Sequence, residues 1–334
     1  MKIVIPMAGM GKRMRPHTLT VPKPLIPIAG KPIVQRLVED IASVVNETIE
    51  EIAFIIGDFG KEVEASLLQI ADKVGAKGRI CYQKEALGTA HAILCAKESL
   101  DGKVIVAYAD TLFKADFALD SEKDGIIWTK KVDKPEQFGV VKLDNNGLIT
   151  GFAEKPKEFV SDEAIIGIYF FKDGLYLRNE LQKLLDQDIK TGGEYGITDA
   201  LQNMMSQGTC FSTDTVEEWL DCGNKDATVF TNQRVLELIK EKESLISNSA
   251  VIHNSVIIEP CYIGENAVIE NSVIGPHASI GMNSVMKNAI VSNSIVQNNT
   301  SVKQENIVNS MIGNYSSIQG KSKEFSTGDY SSIE

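Results

Sequence analysis

The sequence predicts an α/β protein, a mostly parallel sheet covered by helices, that runs on into a parallel β-helix. Three observations carry this reading. Over roughly the first 225 residues, short β-branched runs alternate with helical patterns, as in sheets built from strand–helix–strand units. Those runs are apolar throughout, so both faces of the sheet must be covered. From Leu245 onward Ser and Asn become abundant, charges thin out, and aliphatic residues recur every five or six positions. So short a period fits a coil whose flat sides each turn one aliphatic side chain inward.

The strands are expected at Lys2–Pro6, Ile52–Ile56, Val104–Tyr108, Ile126–Thr129 and Ala164–Phe171. The first helix follows Pro32, a residue suited to a first turn, and puts Ile33, Leu37, Val38, Ile41 and Val45 on one face. Further helices are expected near Lys61–Val74, Thr89–Ser99, Leu175–Ile189 and Ile197–Ser206. Residues 226–244 read as a charged linking helix with Val229, Val235, Leu236 and Ile239 as its apolar stripe. The periodic aliphatics are then Ile246, Ile252, Ile258, Ile263, Ile269, Ile274, Ile280 and Met286. Small residues (Ala250, Val256, Ala267, Val273, Ala278 and Ser284) follow many of them at four positions. A Ser/Asn linker is the alternative, but a linker does not keep an aliphatic period. The expected organisation is a sheet domain over 1–225, the linking helix over 226–244, a β-helix over 245–320 and a loose polar tail over 321–334.

Composition excludes several classes. No run of 18 apolar residues occurs, so no membrane-spanning helix is expected. The opening residues read as a strand entering a glycine loop, not as a signal peptide. Five scattered cysteines without a CxxC pair argue against a zinc ribbon or a disulfide framework, and for a reduced, cytoplasmic protein. A net charge of −11 makes the chain a poor binder of nucleic acid. The charge is uneven, however. Residues 1–38 hold seven bases and no Asp or Glu, which suggests a small anionic ligand. A solvated basic face is the plain alternative.

The strongest motif follows the first strand: Ala8-Gly9-Met10-Gly11-Lys12-Arg13-Met14-Arg15-Pro16. A glycine loop there brings backbone N–H groups close to phosphates. It is not the GxGxxG fingerprint, since Met14 takes the third glycine position. It is not a Walker loop, since Pro6 and Arg13 stand where that loop needs Gly and Ser or Thr. Arg13 and Arg15 offer planar forks to phosphate oxygens. Lys23, stiffened between Pro22 and Pro24, offers a point charge.

This opening, continued by Thr18, Pro22-Lys23-Pro24, Pro27 and Gly30-Lys31-Pro32, resembles the sugar-1-phosphate nucleotidyltransferases. The likeness covers essentially the whole chain. It runs closest to glucose-1-phosphate thymidylyltransferases with a C-terminal hexapeptide-repeat extension. The resemblance implies a Rossmann-like, mostly parallel sheet of the nucleotidyltransferase fold followed by a left-handed parallel β-helix. Two departures stand out: Lys12 where the family more often has Thr, and Ala109 where it usually has Gly before Asp110.

The resemblance implies nucleotide contacts at Ala8, Gly9, Gly11, Gln83, Gly88 and Thr89. Gln83 would pair with a base edge, since an amide both donates and accepts against an imide. Gly88 would let the ring approach. The helix starting at Thr89 is expected to aim its N-terminus at the site. Read without the family, Gly88 ends a strand and Thr89 starts a helix. Asp110, at the end of an apolar strand, and Asp221, in Trp219-Leu220-Asp221-Cys222-Gly223, would hold Mg²⁺ together with phosphate oxygens and water. Asp110 as a turn residue is the alternative, and Cys222 reads as packing. On the sugar side, the resemblance assigns Gly139, Glu154 and Gly167 to the sugar and Lys155 to its phosphate. An exposed charge pair before a turn is the alternative for Glu154 and Lys155.

The expected reaction is Mg²⁺-dependent transfer of a nucleotidyl group from a nucleoside triphosphate to a sugar 1-phosphate, with Arg13, Lys23 and Lys155 as the catalytic cations. Gln83 with Gly88 favours dTTP or UTP, and the whole-chain likeness favours glucose 1-phosphate. GTP with mannose 1-phosphate is the alternative within the family. A bifunctional acyltransferase and a non-catalytic regulatory subunit are the alternatives outside it. The β-helix is expected to serve as the surface of a homo-oligomer.

Overall fold

The computed structural model describes residues 1–324, 326–328 and 331–332. Phe325, Asp329, Tyr330, Ile333 and Glu334, which belong to the expected polar tail, lie outside the described residues. The chain divides into two compact units. Met1–Ile26 with Pro32–Gly223 form the first, and Pro27–Lys31 with the chain from Asn224 on form the second.

The first unit is built on a nine-stranded sheet. Its parallel half runs Val104–Ala107, Lys2–Pro6, Glu51–Ile56, Lys77–Tyr82. Helices Ile33–Val44 and Lys61–Lys73 make the crossovers that parallel pairing requires. The Glu51–Ile56 strand is buried at every residue, as its unbroken apolar run predicts.

The other half is antiparallel, where a mostly parallel sheet was expected. Strand Glu163–Phe171 runs antiparallel to Val104–Ala107, Gly125–Lys131 and Gly139–Leu143. The reason lies in the connection. No α-helix intervenes between Val104–Ala107 and Glu163–Phe171, and hairpin returns pair antiparallel. Only Phe211–Thr215, which follows two helices, pairs in parallel with Gly125–Lys131. Trp128 is fully buried and packs edge-on against Phe113 and Phe117.

The second unit carries helix Lys225–Ile239, shorter at its C-terminus than the sequence suggests, and a left-handed parallel β-helix. Each coil gives one short strand to each of three parallel sheets, from Val251–His253 to Ser317–Gln319. Inward side chains stack in ladders such as Ile252, Ile269, Met286 and Val302. The coil is 17 residues long at first and 16 later, because some sides take five residues instead of six.

That irregularity corrects two expectations. Ile257, in register with Ile274, is the inward residue of the first five-residue side, whereas Ile258 is exposed. The small corner residues there are Ser255 and Ser272 rather than Val256 and Val273. The Ser272 hydroxyl bonds the Glu270 carbonyl, and its backbone N–H reaches the Ser255 hydroxyl. Ile252, at the open end of the stack, is 40% exposed because no coil covers it. Asn fills the corners for a backbone reason. Asn254, Asn266, Asn271, Asn283 and Asn288 all have positive φ, which Asn tolerates better than most residues. The Ser/Asn-rich composition is this corner chemistry repeated.

The helix is fixed to this stack through a buried polar residue. The Asn232 side chain accepts from the Ala29 N–H at 2.9 Å and the Ser279 hydroxyl at 2.7 Å, and donates to the His277 carbonyl. His277 Nε2 also lies 2.7 Å from Glu237 Oε1.

Candidate active site

A cleft of about 470 Å³ opens at the carboxyl ends of the parallel strands. Ala8, Gly9, Gly11, Lys12, Arg13 and Lys23 line one side of it. After strand Lys2–Pro6 the chain turns through Gly11, whose φ of 56° is left-handed, into a single turn over Lys12–Met14. The Thr18 hydroxyl donates to the Gly11 carbonyl at 2.8 Å and fixes the loop. A side chain at Gly11 would press on Thr18 and on the stem of Lys23.

Lys23 is nearly buried, and its Nζ lies 2.7 Å from Asp110 Oδ2. Asp110 follows strand Val104–Ala107 as expected. What brings Asp221 to it is a two-strand ladder. Thr111–Lys114 pairs antiparallel with Glu218–Asp221, placing Asp221 opposite Thr111 and the Cys222 N–H on the Asp110 carbonyl. Asp221 Oδ1 accepts from the Gly223 N–H at 3.0 Å, and Arg13 Nη2 lies close to Gly223. Burial pushes the Asp221 carboxyl above its ordinary value. The negative charge of Asp110 pushes it further, against the Gly223 N–H, Lys23 and Arg13. Two carboxylates therefore share one site with two cations. Cys222 is fully buried beside them.

Gln83 and Thr89 line the opposite side with Gly88. Gln83 is anchored at its backbone, where its N–H donates to the Ile56 carbonyl at 2.9 Å. Gly88 has a φ of 116°, and a Cβ there would lie 2.5 Å from the Tyr195 carbonyl oxygen. Packing against Tyr195 thus already demands glycine, before any ligand is considered. The helix at Thr89 is also not what the sequence suggests. It spans only Thr89–Leu94, and the Tyr195 carbonyl takes the Ala90 N–H at 2.9 Å. One N-terminal donor is thus taken by protein, while Gly88 and Thr89 at the helix start line the cleft. The Thr89 hydroxyl accepts from the Ile197 N–H at 2.9 Å.

The residues expected on the sugar side form a second group, outside the lining of this cleft. Glu154 sits opposite Gly139 in register, and a Cβ on Gly139 would lie 2.9 Å from Glu154 Oε2. Lys155 adopts positive φ, and its N–H donates to the Phe138 carbonyl at 3.0 Å. Its Nζ is 3.7 Å from Glu154 Oε1, and both side chains are exposed. Gly167 joins this group to the cleft, since a Cβ on it would meet the Tyr108 ring at 2.9 Å.

The chain matches the "Nucleotidyl transferase" family model over residues 2–237. It belongs to that family. A second model, "GlmU-like, C-terminal hexapeptide", matches residues 228–305, so this nucleotidyl transferase carries a hexapeptide-repeat extension. It is 32% identical over 265 residues to the low-salt glycan biosynthesis nucleotidyltransferase Agl11 of Haloferax volcanii, covering 77% of this chain and 72% of that protein. It is 32% identical over 266 residues to the bifunctional protein GlmU of Methanococcus vannielii, covering 78% of this chain. The match spans 61% of that GlmU protein's length. It is 30% identical over 275 residues to the mannose-1-phosphate guanylyltransferase catalytic subunit beta of Drosophila pseudoobscura pseudoobscura, covering 79% of this chain and 71% of that one. In fold it is similar to a Bacillus anthracis structure described as a putative glucose-1-phosphate thymidylyltransferase in complex with a sucrose. There the TM-score is 0.59 at 23% identity, over 73% of this chain and 96% of that one.

In this nucleotidyl transferase Tyr108 lines the cleft, a place the sequence reading did not assign to it, and Glu194, from the segment whose resemblance points to a sugar pocket, lines it too. Burial pushes the Tyr108 hydroxyl well above the ordinary phenol value, which keeps it neutral. Its position two residues before Asp110, at the end of an apolar strand, was the available signal. Among the described residues no helix is long and apolar enough to cross a membrane.

Proposed function

We propose that the protein transfers a nucleotidyl group from dTTP or UTP to a sugar 1-phosphate, glucose 1-phosphate first, releasing pyrophosphate. The observation that carries this reading is the Lys23–Asp110 pair at 2.7 Å beside Asp221, at the end of a glycine loop in a nucleotidyl transferase. In the proposed reaction a phosphate oxygen of the sugar 1-phosphate attacks the α-phosphorus, and the bond to pyrophosphate breaks. The attacking group is already an anion, so no general base is required. Arg13 and Lys23 hold the triphosphate and neutralise the departing pyrophosphate, and Lys155 positions the attacking phosphate. Catalysis is then positioning plus charge neutralisation.

The residues fit a Mg²⁺ ion. Among the described residues no group of three or more His, Cys, Asp or Glu side chains could hold a metal by itself. Mg²⁺ does not need such a cage, since it is commonly held by one or two carboxylates plus substrate phosphates. Asp110 and Asp221 supply two, and a cation between them would relieve the repulsion that, with burial, raises the Asp221 carboxyl. Bound there, the cation would neutralise charge on the α-phosphate.

A second substrate reading, GTP with mannose 1-phosphate, is favoured by the Drosophila relative. One experiment separates the two: pyrophosphate release with Mg²⁺, crossing five nucleoside triphosphates against four hexose 1-phosphates, with Asp110→Asn as the blank. Release with dTTP or UTP and glucose 1-phosphate supports the first reading. Release with GTP and mannose 1-phosphate supports the second. Silence across the grid with folded protein refutes both.

We also propose that the β-helix builds a homo-oligomer. The support is one flat side whose outward ladder is Val256, Val273 and Ile290, with Val256 and Ile290 about half exposed. Sedimentation of Ile290→Glu beside the unmodified protein tests it.

A further inference from the structure

We propose that His91 biases the flip state of the Gln83 side-chain amide and thereby favours one pyrimidine edge over the other in the cleft. The inference rests on Gln83 reading the base, as proposed above. Gln83 lines the cleft, and its Nε2 lies 3.3 Å from His91 Nδ1. His91 itself is not among the lining residues, so it stands behind Gln83 as a positioning residue.

A primary amide has nearly the same shape after a 180° flip, and the flip exchanges its acceptor for its donors. What Gln83 offers a ligand is therefore set by its other neighbour. With its proton on Nε2, the neutral His91 ring presents a lone pair at Nδ1. That lone pair accepts the Gln83 N–H that points away from Oε1. Oε1 and the N–H beside it are left as an adjacent acceptor and donor. An imide edge complements this order, with N3–H donating to Oε1 and O4 accepting from the N–H. A 4-aminopyrimidine in the same pose presents the reverse order and needs the flipped amide. The flip would set Oε1 against the Nδ1 lone pair unless the ring proton moved to Nδ1, so His91 weights the two edges by the cost of that move.

His91 is itself held in place. It lies on the Thr89–Leu94 helix, whose Ala90 N–H is bound by the Tyr195 carbonyl and whose Thr89 hydroxyl is bound by the Ile197 N–H. The backbone of Gln83 is fixed by Ile56. The amide flip is the freedom left, and the His91 ring biases it.

The test is steady-state pyrophosphate release with UTP and with CTP, at fixed glucose 1-phosphate and Mg²⁺. The proteins are the unmodified enzyme, His91→Ala, His91→Asn, His91→Leu and Gln83→Ala. The unmodified enzyme is expected to prefer UTP, and Gln83→Ala to lose that preference. His91→Ala should narrow the UTP/CTP ratio of kcat/KM about tenfold, the worth of one hydrogen bond. The change should appear as a higher KM for UTP with kcat nearly kept. His91→Asn, whose Oδ1 can accept the same N–H, should restore most of it. His91→Leu, which fills the space without an acceptor, should behave as Ala does and replaces it if Ala does not fold. An unchanged ratio in His91→Ala or His91→Leu, with Gln83→Ala indiscriminate, overturns the role of His91 and leaves that of Gln83. Discrimination that survives Gln83→Ala, or exclusive use of GTP, overturns the base-reading role and this proposal together.

Discussion

Replacing Lys23 by Met removes one charge and keeps most of the stem volume. The Lys23 side chain is 10% exposed and Asp110 is 39% exposed, so the pair is half in the protein and half in water. Breaking a buried ion pair costs about 3–5 kcal/mol, because the remaining charge is left uncompensated. Here water reaches Asp110 and Arg13 stays nearby, so about 1–2 kcal/mol of stability is the expected loss. The catalytic loss should be larger. A single preorganised contact to charge that develops in the transition state is worth about 10²–10³ in rate. Lys23→Met should therefore reduce kcat by that factor while the protein stays folded. Lys23→Arg should recover only part of it, since a planar fork does not replace a point charge in so short a contact. Pyrophosphate release at saturating Mg²⁺ gives the rate, and urea unfolding gives the stability. A kcat/KM within threefold of the unmodified enzyme, in a folded Lys23→Met protein, would refute the assignment of Lys23.

Three further outcomes follow from the packing and the charges. Gly88→Ala places a Cβ 2.5 Å from the Tyr195 carbonyl at a φ of 116°, and should lower the melting temperature even without ligand. An unchanged melt would show that the Tyr195 contact yields freely. In the β-helix, Ile269→Ala should cost about 2–5 kcal/mol in urea unfolding, since Ile269 is fully buried with Ile252 and Met286 in register on either side. Ile258→Ala, at an exposed position, should cost well under half as much; equal costs would contradict the coil register described above. Burial pushes the Glu51 carboxyl up, but the Ser99 hydroxyl and the Arg79 guanidinium outweigh it and hold the group below its ordinary value. A depressed carboxyl stabilises the fold above its unfolded value, about 4.3, and that contribution is lost as the pH falls through the lower folded value. Glu51→Gln should therefore melt below the unmodified protein at pH 7, with the gap closing below about pH 4. A gap equal at pH 3 and pH 7 would rule out this origin.

The parallel half of the sheet was legible because burial on both faces leaves unbroken apolar runs such as Ile52–Ile56. The hairpin Gly139–Leu143 with Ile149–Glu154 was not, because its strands are half-exposed and carry neither an unbroken apolar run nor a clean alternation. In the β-helix the repeat was legible but its register was not. Ile257 and Ile258 are the same residue type in sequence, and only pairing of Ile257 with Ile274 in the next coil separates them. Asn232 gave no signal, since a buried Asn on a helix is recognisable only from the Ala29, His277 and Ser279 groups it satisfies.

The candidate site divides along the same line. Arg13, Lys23 and Asp110 were legible because short-range features mark them: a loop after a strand, a lysine between prolines, a carboxylate at a strand end. Gly88 was legible as a glycine, but the reason for it lies in Tyr195, far along the chain. This difference decides what each substitution can reveal. A change at Gly88 disturbs the Tyr195 backbone whether or not a base lies nearby, so lost activity there says little about recognition. Gln83 lines the cleft, and its side-chain amide lies 3.3 Å from His91 Nδ1. Base specificity is therefore best probed at Gln83 and His91, where the proposed reading expects the ratio between two nucleotides to move independently of the stability of the fold.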